Sequence, residues 1–122
     1  MILADTSIWV DYLRGRCPRM APLLAAGQIA MHPFIVAEIA LGSLHHRRQR
    51  LEEMEALLEV KVASLAEVRH MIEAHALYFR GIGLADAHLI ASCLLTPGTL
   101  LWTRDDSLGR VAGAVGAAFN LP

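Results

Sequence analysis

Short apolar runs alternate with longer stretches whose apolar residues recur at helical spacing, from one end of the chain to the other. Ile2-Leu3-Ala4 reads as a buried strand that stops at Asp5. Thr6 and Ser7 can cap a helix through Tyr12, which Gly15 ends. Pro18 to Ala26 reads as a short helix closed by Gly27, and Ile29-Ala30-Met31 as a second strand. Pro33 suits a first helical turn, and the helix it opens is expected to reach Leu44. Arg47 to Leu58 is a charged amphipathic helix with Leu51, Met54, Leu57 and Leu58 on one face. Val60-Lys61-Val62 is a third strand, and Ser64 with Glu67 forms a capping box for a helix toward Phe79. Gly81 and Gly83 mark a loop, Leu84 to Leu95 a buried helix, and Pro97-Gly98 a turn. Thr99 to Thr103 is a fourth strand, Asp105 or Asp106 opens a short helix, and Ala117 to Phe119 is a last edge strand.

Short strands separated by helices predict an α/β fold: a mainly parallel sheet of four to five strands covered on both faces. At 122 residues the chain is expected to form one domain, residues 1–122. In such sheets chemistry gathers at the carboxyl ends of the strands.

Four carboxylates stand out against this frame. Asp5 directly follows the first strand, and Asp105 follows the fourth after one residue. If both strands are central and parallel, the two carboxylates share one edge of the sheet. Glu38 is the only charged residue of Pro33–Leu44, and Asp86 the only one of Leu84–Leu95. An ionised carboxylate among apolar neighbours is costly unless paired or metal-bound. Several brought together without cations raise one another's pKa. A hard divalent cation, Mg²⁺ or Mn²⁺, resolves the conflict. Each residue also has a plainer role: Asp5 as a helix cap, Asp86 as a charge favoured by a helix N-terminus, and Asp105 or Asp106 as the cap of the last helix. Glu38, inside a helix, has no such role.

Charge and cysteine content narrow the function. The formal net charge of −1 argues against a plain nucleic-acid-binding module but not against a nuclease that holds its substrate through metal ions. Lys61 is the only lysine; the remaining bases are arginines, and His45-His46-Arg47-Arg48 with Arg50 is the only basic cluster, read mainly as a solvated helix start. Cys17 and Cys93 do not resemble a disulfide framework, and Cys93 is expected to be a buried thiol. No signal peptide and no membrane-spanning run is visible, so a cytoplasmic location is expected. No Ser/His/Asp or Cys/His set suggests a protein nucleophile. A phosphoryl-transfer enzyme of the receiver or dehalogenase type needs a second Asp two residues after Asp5, where Ser7 stands, or a lysine after a late strand, and Lys61 is in the wrong place.

Four segments, in order, resemble the PIN-domain family and its VapC-type toxins: Asp5-Thr6-Ser7-Ile8-Trp9, His32 to Gly42 around Glu38, Gly83 to Ala91 around Asp86, and Leu101-Trp102-Thr103-Arg104-Asp105. The resemblance implies a three-layer α/β/α domain. It implies that Asp5, Glu38, Asp86 and Asp105 bind Mg²⁺ or Mn²⁺ and carry catalysis, with Ser7 and Thr103 as supporting hydroxyls and Asp106 as an outer group. It further implies a metal-dependent ribonuclease acting on RNA, the toxin of a toxin–antitoxin pair, with a VapB-like antitoxin and a homodimeric state. The alternative is a non-catalytic RNA-binding or scaffold protein of the same fold.

Overall fold

The computed structural model describes residues 1–120. Its central strand is β1 (Ile2–Ala4), flanked by β2 (Ile29–Ala30) and β3 (Leu100–Trp102) in the order β2-β1-β3, all parallel. Every residue of β1 is buried. Successive strand residues point to opposite faces, so both faces of the sheet are covered, as a parallel sheet requires. The helices are α1 (Thr6–Leu13), α2 (Met20–Ala25), α3 (Pro33–Ala40), α4 (Arg47–Glu55), α5 (Leu65–Ala74), α6 (Leu84–Leu95) and α7 (Asp106–Ala114), with α1 packed on β1, α6 and α7 on β3, α4 on α3 and α5 on α6. Among the described residues no helix is long and apolar enough to cross a membrane.

The sheet is narrower than the four to five strands expected. Glu59 and Ala118 each make one parallel bridge, to Met31 and Leu101, so five segments lie side by side but only three form strands. Val60-Lys61-Val62 does not extend as a strand: the Val60 N–H donates to the Met31 carbonyl at 2.9 Å, but the segment holding Met31 then turns into α3 at Pro33, and the next amides go to side chains. The Lys61 N–H donates to Thr96 Oγ1 at 2.9 Å and the Ala63 N–H to Ser92 Oγ at 3.2 Å, both on or just after α6. Ala117–Phe119 pairs through the Leu101 N–H to Ala117 O and the Phe119 N–H to Leu101 O, then goes no further among the described residues.

Most helices stop earlier than their patterns suggest. α3 ends at Ala40, where Gly42 and Ser43 follow and Arg47 donates to the Ala40 carbonyl at 2.8 Å. α4 ends at Glu55, which leaves Leu58 exposed rather than packed with Met54. α5 opens on the expected Ser64–Glu67 capping box but stops at Ala74, and Ala76 turns left-handed at φ 51°. α6 spans Leu84–Leu95 as expected, with seven consecutive buried residues from Ala87 to Cys93. Cys17 and Cys93 are free, buried thiols, and burial pushes the Cys93 thiol up to about 12.

Candidate functional site

Parallel pairing in the register Ala4↔Trp102 places Asp5 beside Thr103 at the carboxyl edge of the sheet. Asp5 is the buried member of the acidic group and the N-cap of α1, its Oδ1 accepting from the Ile8 N–H at 3.3 Å. Ser7 donates to the same oxygen at 2.5 Å, and Thr103 donates to Oδ2. The two hydroxyls bridge onward: Ser7 Oγ accepts from the Arg104 N–H and Thr103 Oγ1 from the Asp105 N–H, each at 3.0 Å. One buried carboxylate thus ties the start of α1 to the turn after β3, and Ser7 and Thr103 both touch it.

Glu38 stands on α3, whose N-cap is His32; the His32 Nδ1 accepts from the Phe34 N–H at 3.0 Å. Thr6 Oγ1 donates to Glu38 Oε1 at 3.2 Å and so joins α3 to the residue after Asp5. Thr6 has only its place beside Asp5 to signal this role, and pattern reading passes over it. Asp86 lies in the first turn of α6. Its carboxyl is held above the usual carboxylate range, first by burial and then by the charges of Asp105, Asp5 and Glu38; the Gly83 N–H, facing the carboxylate, works the other way. Asp105 settles the competition with Asp106: it is the N-cap of α7, with Oδ1 accepting from the Leu108 N–H at 2.8 Å, while Asp106 is exposed one position later.

The four acids therefore converge on one region but are not alike in burial. Asp5 is buried and Asp86 half-buried, whereas Glu38 and Asp105 are exposed. The apolar sequence neighbours of Glu38 do not surround it, because a helix turns about 100° per residue and sends Ile35 and Ile39 into the core while Glu38 faces out. Among the described residues no three His, Cys, Asp or Glu side chains are drawn together tightly enough to hold an ion as they stand. The donor set is nonetheless one of carboxylates and hydroxyls, which suits a hard cation better than zinc. Among the described residues no base forms an ion pair with any of the four. The nearby Arg104 is turned to Asp11, with Nε 2.5 Å from Oδ2.

Other candidates resolve as packing. His32 and His88 are buried against Phe34, with ring centroids 5.0 and 4.7 Å from it. Trp9 is buried and meets Tyr12 edge-on at 5.8 Å, and Met20 is fully buried. Of the basic cluster, Arg47 caps α3 and Arg50 pairs with Glu53 at 3.5 Å. Beside Glu38 a groove of about 410 Å³ is bordered by Thr6, Arg14, His45 and Arg50.

The PIN domain family model matches residues 2–114. Ribonuclease VapC32 of Mycobacterium tuberculosis is 36% identical over 118 residues in both strain CDC 1551 / Oshkosh and strain ATCC 25618 / H37Rv, covering 97% of this chain and 95% of the relative. A parallel sheet with acids at its carboxyl edge, matched along nearly its whole length, places this chain in the PIN-domain family with the VapC-type proteins.

Proposed function

We propose that the chain is a divalent-cation-dependent ribonuclease, the toxin of a toxin–antitoxin pair, with Asp5, Glu38, Asp86 and Asp105 holding Mg²⁺ or Mn²⁺. The observation that carries this reading is the convergence of the four carboxylates at the carboxyl edge of the sheet, Asp5 after β1, Asp105 after β3 and Asp86 in the first turn of α6, where Asp105, Asp5 and Glu38 add to burial in raising the pKa of the Asp86 carboxyl. A hard cation would remove that conflict. When bound, the cation stabilises charge on a phosphodiester and makes water a better nucleophile.

The chain's own residues divide the remaining work. Ser7 and Thr103 fix both oxygens of Asp5, which keeps its lone pairs directed and its geometry rigid. Thr6 holds Glu38 from one oxygen and leaves the other free. Asp105 spends Oδ1 on the helix cap and presents Oδ2. Asp106, exposed beside it, acts as an outer acidic group that orients water. Positioning of this kind is where most of the rate gain of phosphoryl chemistry lies.

RNA is the substrate suggested by the similarity to Ribonuclease VapC32. The groove beside Glu38, with the guanidinium groups of Arg14 and Arg50 on its borders, offers cations for the RNA backbone. The reading further takes the chain to be a cytoplasmic homodimer held in check by a VapB-like antitoxin, as the resemblance to VapC-type toxins implies. The test is cleavage of total RNA with Mg²⁺ or Mn²⁺, with EDTA and Asp5→Asn as controls. Discrete cuts lost in both controls are expected. Full cleavage by folded Asp5→Asn protein would overturn the assignment.

A further inference from the structure

The segment between α5 and α6, which runs toward the acidic site at Gly81 and Gly83, presents two aromatic rings to solvent, and neither the fold nor the acids account for them. Phe79 is fully exposed and Tyr78 more than half exposed; their rings meet edge-on with centroids 5.9 Å apart. Phe79 also adopts a left-handed backbone at φ 61°, unfavourable for a bulky residue without a compensating use. Arg80 follows, its Nε donating to the Ala76 carbonyl at 3.1 Å; the terminal amines have no protein partner among the described residues.

This segment is anchored to the site at two points. Gly81, at φ 79°, passes so close to α7 that a Cβ there would lie 3.2 Å from Ser107 Oγ, two residues after Asp105. Gly83 turns its N–H to the Asp86 carboxylate. Phe79 is four residues from Gly83, a reach of at most about 14 Å. A hollow of about 400 Å³ opens between Phe79 and Leu84, within the size range of ligand sites.

We propose that Tyr78, Phe79 and Arg80 form a platform for single-stranded RNA, on which an unpaired base stacks against Phe79 while Arg80 meets an adjoining phosphate. Exposed aromatic faces interleaved with a guanidinium are how unpaired nucleic acid is held without base pairing. The segment's approach to the acids at Gly81 and Gly83 is what selects RNA over a protein partner. The platform rests on the ribonuclease reading and names the residues that would hold an unpaired stretch of its substrate.

The test uses an unstructured oligoribonucleotide carrying 2-aminopurine, bound by chains with Asp5→Asn to prevent cutting, alongside cleavage by chains that keep Asp5. Phe79→Ala is expected to weaken binding roughly tenfold and relieve 2-aminopurine quenching. Phe79→Trp should restore both; Phe79→Leu, apolar but without a π-face, should not. Unchanged binding and kcat/KM in Phe79→Ala, with the parent chain still cutting RNA, would overturn the platform alone. Full rescue by Leu, or loss of self-association in sedimentation with RNA binding intact, would assign the rings to a protein interface instead. A parent chain that neither binds nor cuts RNA would overturn both readings.

Discussion

Thr103 donates its hydroxyl hydrogen to Asp5 Oδ2 across 98 residues of chain, a side-chain link just past the carboxyl ends of β1 and β3, whose backbones are already paired. Hydrogen bonds to charged groups are worth about 1.5–3 kcal/mol, and a buried carboxylate that loses a donor bears most of that cost. Thr103→Val is therefore expected to lower stability by about 2 kcal/mol in urea unfolding and to reduce cleavage. Thr103→Ser, which keeps the hydroxyl, should retain most of both. Equal stability in the valine and threonine chains would remove the bond from the account.

His32 predicts an acid limit to stability. Burial, reinforced by His88, brings its pKa down to about 4 from an ordinary 6.5. A lowered histidine pKa means that the unfolded chain takes up the proton first. Its contribution is complete above about pH 6.5 and is lost as pH falls toward about 4. Protonation also removes the Nδ1 acceptor that caps α3, the helix bearing Glu38. Unfolding free energy measured from pH 7.5 to 4 should fall across this window, and His32→Asn, which still caps, should flatten the slope. A slope unchanged by that substitution would place the acid sensitivity elsewhere.

Asp86 predicts the opposite sign. Burial first, then Asp105, Asp5 and Glu38, raise its pKa in the fold, so its ionised form is disfavoured there. The penalty grows as pH rises through the raised folded value and disappears below the ordinary carboxylate range, near about 3.9. Without divalent cations, Asp86→Asn should raise the Tm by a few degrees at pH 7 and by little below about pH 4. Mn²⁺ should stabilise the parent chain, by about 2.7 kcal/mol at a hundredfold excess over Kd, and the asparagine chain much less. Thermal melts with and without Mn²⁺ at both pH values decide it. No gain in the asparagine chain and no response to Mn²⁺ in the parent would contradict the shared acidic site.

These residues also show what a sequence can and cannot convey. β1, β3 and α6 were legible because short apolar runs and a twelve-residue apolar helix have few other solutions in a parallel sheet. The edges were not. Val60–Val62 has strand composition, yet its ladder stops after the Val60 N–H meets Met31, because that neighbour turns into α3, and the Lys61 and Ala63 amides go to Thr96 and Ser92, remote in sequence. The convergence of Asp5, Glu38, Asp86 and Asp105 followed from strand ends and helix starts. Their unequal burial did not, because exposure depends on which way a helix is rolled. Thr6 as the partner of Glu38, and Arg104 as the partner of Asp11, depend on tertiary geometry that local pattern does not encode.

That last pair carries a prediction of its own. Arg104 directly precedes Asp105, and its backbone N–H binds Ser7 Oγ, so its guanidinium is tethered at the rim of the acidic site. Asp11, only partly exposed, holds that guanidinium on the α1 side, with Nε 2.5 Å from Oδ2. Released, a cation on so short a tether would be drawn toward four carboxylates and compete with a divalent ion. Asp11→Asn should therefore raise the Mn²⁺ concentration needed for half-maximal cleavage severalfold, with little change in stability, since exposed ion pairs contribute about 0–1 kcal/mol. Adding Arg104→Ala should restore the original Mn²⁺ requirement, a strong non-additivity that a double-mutant cycle reads directly. If the double variant needs as much Mn²⁺ as Asp11→Asn alone, Asp11 acts by some route other than restraining Arg104.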